Sequence, residues 1–162
     1  MEPWLIAVIV IASLLGLYIF FFLTRLFRVL SFRKAMRQKL DGCLLCLREE
    51  AEIMLGLLQK EGFIEDKERL NEYASSFAEH HGDETWIKQA QETTSRSFGK
   101  IETQCQVKNK EAFEKMSDLL LNYQKIALRY NRDLLGYEYW RKNPLYRWIF
   151  NLLGFKKRQR LI

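Results

Sequence analysis

Apolar residues fill the start of the chain without interruption. From Pro3 to Thr24 no charged residue occurs, and Trp4 to Leu23 are twenty apolar or small residues. That is about the length a helix needs to cross a ~30 Å hydrocarbon core. A buried soluble helix would be shorter or show a polar face. A secretory signal would carry a positive start, a shorter apolar run and a small-residue exit. Here only Glu2 and the amino terminus are charged ahead of the run, and "FFFLTRLF" has no such exit. The pattern predicts a retained transmembrane anchor over residues 1–24.

After the anchor the period changes to that of amphipathic helices. Leu40, Leu44, Leu47, Ala51, Met54 and Leu58 repeat at alternating steps of four and three, a heptad stripe. Leu45, Ile53, Leu55 and Leu57 widen it, so several helices should cover it. Gly62 supplies a stop. A second helix opens on Glu65 and Asp66, turns Leu70, Tyr73 and Phe77 inward, and ends at "HHG". A third starts from Asp83 as N-cap, with Trp86, Ile87, Ala90, Phe98, Ile101 and Cys105 inward. Its middle is poorly patterned. A break near "QVKNKEA", with Asn109 as cap, and one continuous helix over 83–142 both fit.

The cleanest pattern is the last: Phe113, Met116, Leu120, Tyr123, Ala127, Tyr130, Leu134 and Tyr137. This helix should stop before Asn143-Pro144, because the residue preceding a proline resists helix. Residues 26–61 and 110–142 would make helices of about 54 and 50 Å, and the intervening pieces about half that. The expected fold class is all-α: an N-terminal transmembrane helix, then an antiparallel bundle of about four helices with heptad-patterned long members. Leu44, Leu47, Met54, Phe113, Leu120, Tyr123 and Tyr130 are its expected core. The divisions are 1–24 (anchor), 25–39 (basic juxtamembrane segment), 40–142 (bundle) and 143–162 (tail).

Charge sharpens this picture once it is divided. Residues 25–39 carry Arg25, Arg28, Arg33, Lys34, Arg37 and Lys39 and no acid, whereas 40–140 hold thirteen basic and nineteen acidic residues. Residues 141–162 hold seven basic residues and no acid. Positive charge just after a span keeps that side cytoplasmic. The expected location is therefore the plasma (inner) membrane, single-pass, with the N-terminus outside. A nucleic-acid-binding domain would carry its basic patch on the folded body. This body is acidic, and the basic ends suit anionic membrane lipids.

The closing stretch combines both signals. With Asn143 as cap and Pro144 at the first helical position, Leu145, Trp148, Ile149 and Leu152 form one apolar face. Tyr146, Phe150 and Leu153 nearly complete the circle. One reading buries this helix in the bundle. The other lays it among headgroups, with Trp148 and Ile149 inserted and Lys156, Lys157, Arg158 and Arg160 on lipid phosphates. The interfacial aromatics and the basic cluster favour the second.

The segment "IALRYNRDLLGYEYWRKNPLYRWIFNLLGF" resembles the LemA family in Tyr130-Asn131, Tyr137, Pro144, and the apolar run from Ile149 to Gly154-Phe155. "LDGCLLCLREEAEIMLGLL" is similar to that family's first long helix. Together with the N-terminal span, which also fits that family, the two stretches cover about half the chain. The resemblance implies a single-pass helical membrane protein, and it brings no catalytic residues with it.

Candidate chemistry is sparse. Phosphate-loop, dinucleotide, nucleophile-elbow and zinc-protease motifs do not occur. Cys43 and Cys46 form a C-x-x-C with no second half to complete a zinc site and no βαβ setting; they read as small hydrophobes on a helix face. His80 and His81 are adjacent, so they cannot face one way on a helix, and they read as a solvated turn. Glu49, Glu50 and Glu52 lack the Glu-x-x-His partners of a di-iron bundle. The sequence thus points to a non-enzymatic scaffold or membrane-organising module, with no cofactor, metal or small-molecule substrate. Its expected partners are anionic lipids and a protein partner or a second copy of itself. The alternative is a membrane-tethered regulatory module whose acidic groove captures a partner helix.

Overall fold

The computed structural model describes residues 3–61, 65–76, 79–80, 82–105, 110–155 and 157–161. Among them the chain is all-helical: α1 (Pro3–Glu61), α2 (Glu65–Ser76), α3 (Glu84–Cys105), α4 (Lys110–Lys142) and α5 (Pro144–Leu152). α1 is one unbroken rod of 59 residues, about 88 Å long at 1.5 Å per residue. No proline follows Pro3 until Pro144, so nothing in α1 removes a backbone donor or forces a kink. The apolar run, the basic segment and the first bundle helix are therefore continuous. α1 is long and apolar enough to cross a membrane, and the apolar window is left wholly uncovered by the rest of the chain.

The other helices gather along α1 from Phe22 onward. α4 runs antiparallel to it. The rings of Phe32 and Trp140 stand 4.9 Å apart, Lys39 forms an ion pair with Asp133, and Gly42 faces Ile126, so partner numbers fall as α1 numbers rise. α3 is antiparallel to α4: Tyr130 meets Glu84 near the start of α3, and Phe113 meets Phe98 further along at 5.8 Å. α2 packs Leu70 with Met54 and Leu57 of α1 and sets Tyr73 edge-on to Trp86 of α3 at 5.3 Å.

Buried side chains form two clusters. The larger joins Val29, Met36, Leu40 and Leu47 of α1 to Tyr123, Ala127, Tyr130 and Leu134 of α4. The smaller, distal one holds Ala51, Met54, Leu57, Leu70, Ile101, Phe113 and Met116. Of the expected core, Leu44, Leu47, Met54, Phe113, Tyr123 and Tyr130 are buried. Leu120 is only half-buried. It lies between Met116 of one cluster and Tyr123 of the other and belongs to neither. Leu45 faces outward at 58% exposure, so the stripe on α1 is narrower than its leucines suggest.

Local signals held where they were strong. Asp83 Oδ1 accepts from the backbone N–H groups of Thr85 and Trp86 at 3.0 and 3.2 Å. α3 and α4 are separate helices. α4 ends at Lys142, and Asn143 caps α5 by accepting from Leu145 N at 3.0 Å, with Pro144 in its first turn. The Gly62 stop, the Asn109 cap, and the side chains of Leu58, Phe77 and Cys105 lie outside the described residues, as do His81 and Lys156.

Candidate membrane-proximal site

α5 folds back where the apolar run of α1 ends, and its sequence gives it three faces. Ile149 and Phe150 are buried against the bundle, with Tyr146 and Leu153 half-buried beside them. Leu145, Trp148 and Leu152, at steps of three and four, form an apolar face exposed by 52, 42 and 73%. Arg147 and Asn151 make the third face, polar and exposed. A helix that needed only bundle and water would have two.

Aromatic and cationic contacts fix α5 to α1 and α4. Trp148 stacks on Phe22 with centroids 4.8 Å apart and planes 22° from parallel. Tyr146 stacks on Trp140 at 5.6 Å and lies under the Arg25 guanidinium, 5.6 Å from its centre. Phe150 meets Tyr137 and Phe155 edge-on at 5.1 and 5.3 Å.

Beyond Gly154, which takes a positive φ of 62° that glycine adopts freely, the chain becomes a strap across the bundle. Arg33 covers the Phe155 ring at 4.7 Å. Glu84, 9% exposed, collects three donors. Tyr130 Oη and Arg158 each donate to Oε1 at 2.7 Å, and Gln159 N donates to Oε2 at 2.7 Å. Leu161 N then donates to Asn131 Oδ1 at 3.0 Å, and the Leu161 side chain is buried in the larger cluster. Burial works against the Arg158 charge, but the hydrogen bond and charge of Glu84 outweigh it and raise its pKa. Burial, then the bond to Glu84, pushes the Tyr130 phenol up, so it stays a donor.

The residues expected at a lipid surface therefore separate. Arg28, Arg33, Lys34, Arg37, Lys157 and Arg160 are exposed, and Trp148 is exposed on one side. Arg25 is half-buried over Tyr146, and Lys39 is tied to Asp133. Ile149 is fully buried in the bundle, and Arg158 is held by Glu84. For these two, contact with lipid is replaced by contact within the chain. The Glu84 knot could not be read locally, because its members are 46, 74 and 75 residues away.

A second polar feature sits between the two clusters. Glu50 is 1% exposed, and its Oε1 has no hydrogen-bond partner; neither has the buried Tyr123 hydroxyl. Burial pushes the Glu50 carboxyl from 4.5 up to about 7. Burial, then the neighbouring Cys46, raises the Cys43 thiol to about 12, which leaves it an unreactive hydrophobe. His80 stacks on Trp86 at 4.8 Å with its Nδ1 4.0 Å from Asp83 Oδ2. No metal-holding group of three His, Cys, Asp or Glu occurs among the described residues.

The chain was compared with family models, curated proteins and solved structures, and nothing matches it.

Proposed function

We propose that the chain is a single-pass, LemA-like membrane protein whose cytoplasmic four-helix bundle serves as a non-enzymatic scaffold or membrane-organising module, held against the bilayer surface at two points. The supporting observation is the three-faced α5 beside the end of the apolar run. One face packs on the bundle, Arg147 and Asn151 meet water, and Leu145, Trp148 and Leu152 are left for hydrocarbon, with Trp148 at the interfacial depth such rings favour. A single span permits tilt and rotation. A second attachment, joined to α1 through Phe22 and to α4 through the Asn143 turn, restricts both. The basic residues 25–37 and 141–147 then stand at the headgroup level of an anionic leaflet.

The test is depth-resolved quenching in bilayers. With Trp4, Trp86 and Trp140 changed to Phe, the remaining Trp148 should be quenched by lipids brominated near the glycerol end of the acyl chain. Unquenched Trp148 in a folded protein would sink the reading.

One observation favours the alternative, a tethered module that captures a partner helix. Leu121, Leu128 and Leu135 are exposed by 49, 59 and 53% on the outer side of α4, spaced by seven as a helical partner would require. Lys125, Arg129 and Arg132 flank Leu128, whereas Asp118 and Glu138 flank Leu121 and Leu135, so the row is mixed in charge rather than acidic. Charge substitution of Leu128 that abolishes in-membrane crosslinking to a protein, with Trp148 depth unchanged, would favour capture over simple docking.

A further inference from the structure

The turn from α4 into α5 creates a cavity of about 370 Å³ lined by Arg141, Lys142, Arg147, Phe150, Asn151 and Phe155. Three cations, one amide and two rings meet there, and among the described residues no carboxylate lines it. Among the described residues none of the three cationic side chains has an ion-pair or hydrogen-bond partner. The cavity beside α3 offers a contrast. It is about 440 Å³, and there Arg33, Lys157 and Arg158 share the wall with Asp83 and Glu84, so its charges are largely offset from within. At the α4–α5 corner they are not.

Local structure explains the convergence. Asn143 and Pro144 reverse the chain, which brings the last turn of α4, bearing Arg141 and Lys142, against Arg147 in the first turns of α5. Asn151 follows Arg147 by one helical turn and shares its face. Arg147 stands between Tyr146, which lies under Arg25, and Trp148, which stacks on Phe22. The cavity is thus within about one turn of the end of the apolar run.

We propose that this corner binds a phosphate group, supplied in the membrane by the headgroup of an anionic phospholipid. The assignment rests on the surface-docked reading above and replaces a diffuse basic patch with one defined site. Arg141 and Arg147 can each present a planar pair of N–H donors to phosphate oxygens, Lys142 adds a point charge, and the Asn151 amide adds a neutral donor. Phe150 and Phe155 exclude water from one wall and so strengthen the attraction. The volume is near the small end of ligand cavities, enough for a headgroup while the acyl chains run along Leu145, Trp148 and Leu152. A choline headgroup would bring a fourth cation to three, so the site should reject phosphatidylcholine.

The experiment uses the full chain in neutral detergent, titrated calorimetrically with short-chain phosphatidic acid, phosphatidylglycerol, phosphatidylcholine and inorganic phosphate. The expected result is saturable one-site binding of the two anionic lipids. Arg141→Gln with Arg147→Gln should weaken it by at least about tenfold, as the loss of charged hydrogen bonds predicts. The charge-matched pair Lys88→Gln with Arg96→Gln, exposed on α3, should leave it within about twofold, since exposed charges act weakly at a distance. Melting of each variant is followed in parallel; Lys142→Gln, at an exposed position, is the substitute if the double variant fails to fold. Equal weakening by both pairs overturns the site and leaves surface docking standing. Equal binding of phosphatidylcholine also overturns it, since the chains alone would then be recognised. Inorganic phosphate binding as tightly as the lipids keeps the phosphate site and overturns lipid as its source. Quenched Trp148 with no anionic-lipid binding separates failure of the site from failure of the docked reading.

Discussion

Glu50 allows the energetics of the bundle to be tested with one atom pair. Its carboxyl is 1% exposed, Oε1 has no partner, and its pKa is raised from 4.5 to about 7 by burial. Around it, Tyr123 and Cys46 are the groups whose own ionisation Glu50 disfavours, so neither offers it a positive charge. The folded state holds a proton between pH 4.5 and 7 that the unfolded chain has released. Stability must therefore fall as pH rises through this window. The penalty is absent below about pH 4.5 and complete above about pH 7. At 1.36 kcal/mol per pKa unit it amounts to roughly 3 kcal/mol, a large fraction of the 5–15 kcal/mol of an ordinary domain.

Glu50→Gln removes the titration and keeps the shape. At pH 8 the variant should be more stable than the parent by roughly 3 kcal/mol, or about 6–12 °C in melting temperature; at pH 5 the two should nearly coincide. The assay is near-ultraviolet circular dichroism of the full chain in neutral detergent, because the apolar end of α1 would stay helical and mask the transition in the far ultraviolet. Parent stability that is flat from pH 5 to 8, or a Glu50→Gln variant that is weaker at pH 8, would refute the reasoning. Either result would mean that the buried carboxylate has a stabilising partner.

Three further outcomes are expected. Glu84→Ala should destabilise the bundle by about 3 kcal/mol, since it strands the Arg158 charge and the Tyr130 hydroxyl, and should speed amide exchange at Gln159 and Leu161; unchanged exchange would show that the strap does not depend on Glu84. A chain in which Cys43 is the sole cysteine should resist a water-soluble maleimide at pH 8 until unfolded, given a thiol pKa of about 12; rapid native labelling would contradict its burial. A reporter fused after Ile162 should behave as cytoplasmic, as the basic residues 25–39 require, and labelling of that end from outside intact cells would reverse the topology.

The helices were legible because their signals are local. α4 shows its whole buried face as an aromatic and aliphatic heptad, and Asp83, Asn143 and Pro144 announce their caps in the sequence. On α1 the reading was close but displaced. The leucines and alanine suggest a seam through Leu40, Leu44, Leu47, Ala51 and Met54, and these are buried. The buried heptad also runs Met36, Leu40, Cys43, Leu47, Glu50, Met54, Leu57, at steps of four and three throughout. Glu50 occupies a core position by spacing alone. Its residue type argues against such a place, because a carboxylate is rarely buried without a partner, and that rarity makes it informative.

The tail was legible in composition and opaque in assignment. Residues 141–162 contain seven basic residues, and nothing in their spacing tells which will find an acid. Arg158 does, because the strap carries it to Glu84, 74 residues earlier; among the described residues Arg141 and Arg147 do not, because the α4–α5 turn directs them to a corner lined by no described carboxylate. The difference lies in the two turns. The Asn143-Pro144 reversal keeps its arginines at the end of the apolar run, whereas Gly154, with its positive φ, releases the chain to run back over the start of α3. A residue there other than glycine would strain that turn, so Gly154→Val should loosen the strap and the Phe155 wall of the corner while leaving Arg141 and Arg147 in place. A basic cluster that looks uniform in sequence is thus divided by backbone geometry into one part that closes the fold and one part that faces outward, free to take an anion.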